Sequence, residues 1–369
     1  WDVDYLRDNR DENMGFLSKT LLPDGTEIPG TNFDYNYLQH RKVDVVSSAL
    51  DFILPFEKYK ITAGAKVSFT NTRNGINYDT SDPTLVQDDY FRYKEQIYAL
   101  YADYSREFSE RFSMQLGLRM EHTRTTGISE AKDTEDKHDY TRLFPTVYLL
   151  YSPTDGHALN FSFSNRISRP SQNMVNPFPF YQNKYTYACG REDLKPSYTY
   201  NAELGYTLKN NFNVSAYYSY SDDVFFQVVD LDAETNVTSF LWENFMQTHA
   251  FGLNNSYTFR TKWLQAYAQH GVSYRRTTSS AVTTSPEEKG WAYDASLRNT
   301  FFFNEKKTLL ATLSGSYSSR QYQGIYLMSP TYSVSAGMLY RLLDNKLNLS
   351  LNVNNLFVSH SKLETMSNG

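Results

Sequence analysis

Apolar and polar residues alternate along most of this chain with a period of two residues. Within 158–208, for example, Leu159 and Phe161 fall on one face of an extended segment, and Asn160 and Ser162 fall on the other. The alternation breaks in a long aromatic-rich loop and then resumes. Such alternation predicts β-strands with one apolar and one polar face. Two strands of about ten residues joined by a loop form the unit that the chain repeats.

The same pattern predicts fourteen strands between residues 40 and 358. Their ranges are 40–54, 60–78, 90–107, 112–125, 141–151, 157–168, 197–208, 211–229, 237–260, 263–277, 290–303, 308–319, 331–341 and 346–358. The apolar face is clearest at 112–120 and 347–353, and no segment with a helical period stands out. Residues 1–39 are polar and contain the turn pairs Asp24-Gly25 and Pro29-Gly30. This pattern predicts a long loop.

The connections between these strands alternate in length. Tight joins such as Lys209–Asn210 and Thr261–Lys262 alternate with longer joins such as Asp79–Asp89, Thr126–Tyr140 and Arg169–Pro196. Outer-membrane barrels have short periplasmic turns and longer extracellular loops, whereas a soluble meander has no reason to separate its loops by length. The alternation therefore predicts an all-β, antiparallel, up-and-down transmembrane barrel. A soluble all-β protein with tyrosine-rich strands is the alternative.

Composition supports this interpretation once hydropathy is considered residue by residue. The hydrophobic content of 40% and the mean hydropathy of −0.58 suit a soluble protein, and no run of eighteen apolar residues could cross a membrane as a helix. A barrel exposes only every second strand residue to lipid, so its bulk hydropathy stays low. Aromatic residues make up 16% of the chain, with 31 Tyr among them, and Tyr suits both strands and interfacial girdles.

Charge and chemistry exclude several other classes of protein. The net charge of −5 gives no basic field for nucleic acid. Cys189 is the only cysteine, and the seven histidines show no metal-ligand spacing, so we expect no metal and no cofactor. The motif Gly-x-Ser-x-Gly is absent, and the adjacent carboxylates Asp222 and Asp223 point to opposite faces of a strand. We therefore expect no catalytic residues and no enzymatic activity.

Several short motifs follow one another in a recognisable order. They are Phe144-Pro145, Ser164-Asn-Arg-Ile-Ser-Arg-Pro170, Asn176-Pro177-Phe178, Leu194-Lys195-Pro196 and Asn352-Val-Asn-Asn-Leu-Phe357. The set resembles the barrel region of TonB-dependent outer-membrane receptors of Bacteroidota. One departure is Gly190-Arg-Glu-Asp, where the family usually has Gly-Asn-Pro, so we expect this loop tip to be individual to this protein.

The resemblance implies how the chain is divided and where it works. It implies a barrel of about 22 strands, of which about fourteen are present here, in the bacterial outer membrane. Residues 1–39 would be an extracellular loop segment, 40–358 the transmembrane barrel portion, and 359–369 the start of another extracellular loop. We expect the plug domain, the first strands and the last strand to lie outside this chain. Outer-membrane lipids, TonB and a surface lipoprotein are the implied partners.

Two sets of residues are candidates for function. Arg119, Glu121, Arg166 and Glu203 occupy polar strand positions and should face the barrel interior. A barrel of about 22 strands is too wide for side chains to fill, so these four could form charged contacts to a plug, or could merely solvate a polar lumen. Arg169 and Pro170 should end a strand and have a structural role.

The second set consists of aromatic residues in the loop 169–196: Phe178, Phe180, Tyr181, Tyr185 and Tyr187. Aromatic faces suit stacking on sugars, peptides or aromatic siderophores, but these rings could equally pack the loop against its neighbours. The sequence thus predicts a receptor that imports a scarce or bulky solute, of the siderophore, oligosaccharide or peptide class, with energy from TonB. A non-transporting barrel that acts as a scaffold or subunit of an outer-membrane complex is the alternative.

Overall fold

The computed structural model of the protein describes residues 1–30, 32–80, 88–360 and 362–365, most of them in β-strands. In chain order the elements are β1 (Asp2–Ser18), β2 (Phe33–Pro55), β3 (Tyr59–Thr80), β4 (Asp89–Ser109), β5 (Phe112–Ser129), β6 (Thr134–Tyr151), β7 (His157–Ser168), α1 (Gln172–Val175), β8 (Phe180–Asn183), β9 (Thr186–Cys189), β10 (Ser197–Leu208), β11 (Phe212–Asp232), β12 (Val237–Arg260), β13 (Leu264–Ser279), β14 (Glu287–Phe302), β15 (Leu309–Ser318), β16 (Gln321–Gln323), β17 (Tyr326–Met328), β18 (Thr331–Leu342), β19 (Leu347–Val358) and β20 (Leu363–Thr365). No helix in these ranges is long and apolar enough to cross a membrane.

The long strands form one antiparallel up-and-down sheet that runs from β1 to β19. Each long strand pairs with the next one in the chain, and β7 pairs with β10 across the loop between them, where Phe161 lies opposite Leu204. No ladder within the described ranges joins β1 to β19, so the sheet is open at these two edges. The predicted all-β, antiparallel fold is confirmed.

All fourteen predicted strands are present, and most of them are longer than predicted at the end that carries the long loops. For example, β2 begins at Phe33 instead of residue 40. The predicted join Asp79–Asp89 contains residues 81–87, which lie outside the described residues.

The prediction that residues 1–39 form a loop is wrong. Strand β1 pairs with β2 along its whole length, from Asp2 opposite Ala49 to Ser18 opposite Phe33. The pattern missed β1 because charged residues occupy both of its faces in the middle, where backbone pairing holds the strand without an apolar face. The two predicted loop segments also contain residues that lie outside the described ones: Thr31, 361 and 366–369. In the second segment, 359–369, the described strand β20 pairs with β17.

The outward face of the sheet is an apolar surface that a soluble protein would not leave open. It is clearest on β5, β18 and β19, where Met338 lies opposite Leu351 and Tyr340 lies opposite Leu349, and Leu351 is 66% exposed. A contiguous exposed surface of this kind is what the predicted barrel would present to lipid. A group of rings toward the long-loop end forms a girdle: Tyr274, Trp291, Tyr293, Tyr317 and Tyr332. Tyr and Trp are enriched at this level of a membrane.

Candidate site on the inner face of the barrel

The loop between β7 and β10, residues Arg169–Pro196, folds back over the inner face of the sheet, and we call it the strap. Its Phe178 ring is 2% exposed and lies 6.3 Å from the ring of Phe91 on β4. Its Tyr181 ring lies 5.3 Å from the ring of Tyr35 on β2, which is fully buried. Aromatic rings at these separations attract one another beyond the area that they bury. One side of the strap is therefore held to the β2–β4 wall by packed rings.

The other side of the strap is held to β12. Strand β9 pairs in parallel with Thr238–Leu241 of β12, along the edge that β13 leaves free because the β12–β13 ladder ends at Met246. Beyond β9, the amide of Lys195 donates to Asn244 Oδ1 at 2.8 Å, and Asn244 Nδ2 donates to the Lys195 carbonyl at 2.9 Å. This second attachment is thus made of main-chain and polar contacts.

The two attachments show that the sheet curves around the strap. Tyr181 touches β2, and only five residues later Thr186 pairs with β12. Five residues span at most about 18 Å, whereas the eight strand spacings from β2 to β12 would cover about 38 Å in a flat sheet. The walls must therefore bend toward each other, so the strap crosses the concave, inner side of the sheet.

The root of the strap is fixed by a group of buried charges. The Arg169 guanidinium donates to a Glu121 oxygen on β5 at 2.6 Å and lies 3.8 Å from a Glu95 oxygen on β4. Arg119 donates to the other Glu121 oxygen at 2.6 Å, and Glu121 is only 8% exposed. Burial lowers the pKa of Arg169, but the hydrogen bond to Glu121 and the nearby negative charges outweigh that effect and raise it. Because buried charges are costly unless they are paired, this group fixes the position where the strap leaves the wall.

The four candidate interior residues all lie on the inner face, but the structure brings together only two of them. Arg119 and Glu121 form an ion pair, whereas Arg166 and Glu203 are exposed. In the part of the chain that the structure describes, no ion pair links Arg166 or Glu203 to the other two. Contact of these four residues with a plug stays a prediction.

Sequence reasoning gave Arg169 the end of a strand and the entry to the loop, but missed Glu121 and Glu95 as its partners. Arg169 does follow the last residue of β7, but its side chain also closes the buried charge group. The Arg-Pro pair after a strand was the available signal, but it could not name a partner on another strand.

The five aromatic residues of the strap divide by exposure. Phe178 and Tyr181 are buried, and Phe180 and Tyr187 are half-buried and pack against the same ring cluster. Tyr185 is 52% exposed. This arrangement favours the packing alternative for the first four and leaves Tyr185 accessible, while a role of the set in ligand binding stays a prediction.

Two half-buried titratable groups lie within the strap. Burial raises the pKa of the Cys189 thiol, which donates to the Pro177 carbonyl at 3.1 Å. Burial also raises the pKa of Glu192, whose carboxylate accepts a hydrogen bond from Thr134 Oγ1 at 3.0 Å. A thiol with a raised pKa is a poor nucleophile near neutral pH, and the hydrogen bond of Cys189 to Pro177 lies within the strap.

A cavity of about 300 Å³ lies between the strap and strands β1 and β2. Its lining mixes charged, amide and aromatic side chains: Arg10, Glu12, Tyr37, Gln39, Arg41, Asn173 and Phe180. Such a lining can donate and accept hydrogen bonds beside a ring face, as sites for small polar ligands do. Among the described residues, no three His, Cys, Asp or Glu side chains converge in a way that could hold a metal ion.

Comparisons with known proteins agree with this architecture. The model of a family described as the outer membrane protein beta-barrel family matches residues 1–369. Among solved structures, the ferripyoverdine receptor of the Pseudomonas aeruginosa outer membrane, bound to ferripyoverdine, is 16% identical with a TM-score of 0.60, and the match covers 96% of this chain and 49% of the receptor. The copper transporter OprC is 14% identical with a TM-score of 0.62, and the match covers 94% of this chain and 60% of the transporter.

The siderophore receptor PiuA from Acinetobacter baumannii is 13% identical with a TM-score of 0.58, and the match covers 95% of this chain and 60% of that receptor. The chain therefore spans only about half to three-fifths of the length of these structures, and at this identity the likeness shows the fold alone. No curated protein sequence matches it. For the barrel, these findings confirm the resemblance to outer-membrane receptors that the sequence motifs indicated.

Proposed function

Because this chain belongs to the outer membrane protein beta-barrel family, we propose that it is part of a non-enzymatic outer-membrane receptor that binds a scarce or bulky solute and imports it. The solute would be of the siderophore, oligosaccharide or peptide class, and TonB would supply the energy. Family membership places the protein in the bacterial outer membrane. The motifs that resemble Bacteroidota receptors support the TonB dependence.

The strap is the observation that carries this proposal. It crosses the inner side of the barrel near the long-loop end, which is the extracellular end in outer-membrane barrels. A segment held across the mouth of a wide barrel narrows the path for passive diffusion. The polar and aromatic cavity between the strap and strands β1 and β2 offers contacts to a solute that has entered from outside. Ligand binding followed by gated release suits this arrangement, and no covalent step is required.

The names of the structural neighbours add support for the solute class. Two of the three named above are described as receptors for iron carriers, and the third as a copper transporter. Proteins with this fold thus include receptors for siderophores and a copper transporter. Oligosaccharides and peptides stay within the proposal because the cavity lining is not specific for one of the three classes.

The proposal can be tested on the full-length protein purified gently from its native outer membrane. Mass spectrometry of the purified protein should detect a bound small molecule, glycan or peptide. Cells should then take up that compound, and uptake should stop when the TonB partner is deleted or a protonophore removes the proton gradient.

Two results would contradict the proposal. One is uptake that continues without TonB and without the proton gradient. The other is stoichiometric recovery of other barrels or assembly factors without any ligand, which would favour a scaffold instead.

A further inference from the structure

Three cations lie side by side on the outward face of the sheet. Lys42 on β2 is directly opposite Arg73 on β3, and Arg73 is directly opposite Arg92 on β4. These positions share the face of Val46 and Phe69, which lie opposite each other farther toward the membrane. Like charges that are direct cross-strand neighbours destabilise a sheet. A row of three cations therefore needs negative charge from groups outside the row.

The protein's own carboxylates compensate this row only in part. Asp44 is shared, because it pairs with Arg7 at 2.6 Å and with Arg73 at 3.5 Å. Arg92 pairs with Glu130 at 3.2 Å, but its Nε atom is buried and has no hydrogen-bond partner. The positive charge of the row is thus not matched one for one.

Lys94 extends the row toward the membrane. It follows Arg92 by two residues on the same face of β4, and its side chain is exposed. Within the described ranges neither Lys42 nor Lys94 takes part in an ion pair. We call Lys42, Arg73, Arg92 and Lys94 the basic patch.

The basic patch lies within side-chain reach of the headgroup layer of the outer leaflet. Arg73 lies four residues beyond Phe69, which is about 14 Å along a strand and about 10 Å above it once the usual tilt of barrel strands is included. The polar layer of a bilayer is about 5–8 Å thick on each side. Lys and Arg side chains can bend toward it by a similar distance. Because the patch lies toward the long-loop end, this layer belongs to the outer leaflet.

We propose that the basic patch is a binding site for the phosphate groups of an outer-leaflet lipid. The guanidinium groups of Arg73 and Arg92 would donate paired hydrogen bonds to phosphate oxygens, and the two lysines would add positive charge around them. The acyl chains would lie on the apolar outward surface that begins at Val46 and Phe69. The lipid thus supplies the negative charge that the row lacks, and this role is independent of any solute that the barrel imports.

The test uses the full-length protein in a nonionic detergent, titrated with lipid A that carries its phosphates or with the same lipid after enzymatic dephosphorylation. Native mass spectrometry counts the bound lipid. The test variant is K42Q/R73Q/R92Q/K94Q. A matched control removes four cations, all exposed, at the short-turn end: K58Q/K262Q/K306Q/K346Q. A third variant, R73K/R92K, keeps the charge of the row.

We expect the parent protein and the control to bind phosphorylated lipid A alike, and the test variant to bind it at least about tenfold more weakly. The R73K/R92K variant should bind more weakly than the parent and more tightly than the test variant, because it keeps the charge of the row but loses the paired guanidinium hydrogen bonds. Heat-dependent mobility in a gel verifies that every variant is a folded barrel. Equal binding by the parent and the test variant, or equal binding of both lipid forms by the parent, would overturn the proposal.

Discussion

Replacing Arg169 by alanine should release the root of the strap while leaving the sheet intact. The side chain joins Glu121 on β5 and Glu95 on β4 to the first residue of the strap. The substitution removes the cation but not its two carboxylate partners. The strands themselves are held by their ladders, so the loss should be local.

The expected magnitude follows from the partners that remain. Removing one partner of a buried ion pair costs about 3–5 kcal/mol when the other charge is left alone. Here Glu121 keeps Arg119 at 2.6 Å, whereas Glu95 has no second cation within 4 Å in the described structure. We therefore expect a cost of about 2–3 kcal/mol, which corresponds to an increase in local opening of about 30- to 150-fold.

Hydrogen exchange of the full-length protein measures this opening directly. Peptides that cover residues 171–190 should exchange about 30- to 150-fold faster in the Arg169→Ala variant, while peptides from β4 and β5 should keep the parent rate. Arg166→Ala is the matched control, since Arg166 is an exposed arginine on the same face three residues earlier. Its substitution should leave the strap unchanged.

Two results would refute the reasoning. If both arginine variants exchange at the parent rate, the buried charge group does not hold the strap. If the Arg169→Ala variant loosens β4 and β5 as much as the strap, the charge group stabilises the wall instead. The single variant Glu121→Gln and the double variant with Arg169→Ala then complete a cycle that measures how strongly the two residues are coupled.

Three further outcomes follow from the strap. Phe178→Ala removes a buried ring and should cost about 3–5 kcal/mol, seen as faster protease cleavage of the strap, whereas Tyr185→Ala, at a largely exposed ring, should change cleavage little. Gly190→Ala should loosen the strap in the same assay by about 1–3 kcal/mol, because the added Cβ would collide with the Asn176 carbonyl. Burial raises the pKa of Glu192, so the folded strap binds this proton more tightly than the unfolded strap and becomes less stable as the pH rises through the folded pKa. The protection of the strap against exchange, corrected for the intrinsic pH dependence of amide exchange, should therefore rise on acidification, and Glu192→Gln should remove this change in protection.

The hydrophobic pattern predicted the strands that have lipid on one face. It failed to predict strand segments that have water on both faces. At Met338 and Tyr340 the outward face meets lipid, so the period of two is plain. In β1 the charged residues Asp8, Arg10 and Asp11 occupy both faces, so the pattern carries no signal although the backbone pairs fully. Hydrophobic periodicity reports the environment of a strand, and the environment changes where strands leave the membrane.

The candidate site was less predictable because it depends on register between distant strands. Glu121 and Glu95 lie 48 and 74 positions before Arg169 in the chain, and no local spacing connects the three residues. The aromatic residues of the strap were recognised as a set, but composition alone could not separate Phe178, which is buried, from Tyr185, which is exposed. That difference arises only when the strap is placed against β2 and β4.

The two walls hold the strap by different forces, and this difference determines which attachment is weaker. On the β2–β4 side, Tyr35, Phe91 and Phe178 are almost fully removed from solvent, and burying a single ring of this kind contributes about 1.5–3 kcal/mol. On the β12 side, the ladder is four residues long, and the ion pair of Arg191 with Glu243 is 47% and 32% exposed. A pair this exposed contributes about 0–1 kcal/mol. If a solute displaces the strap, we therefore expect the β12 attachment to open first, with the strap turning about the ring cluster and the charged root that stay in place.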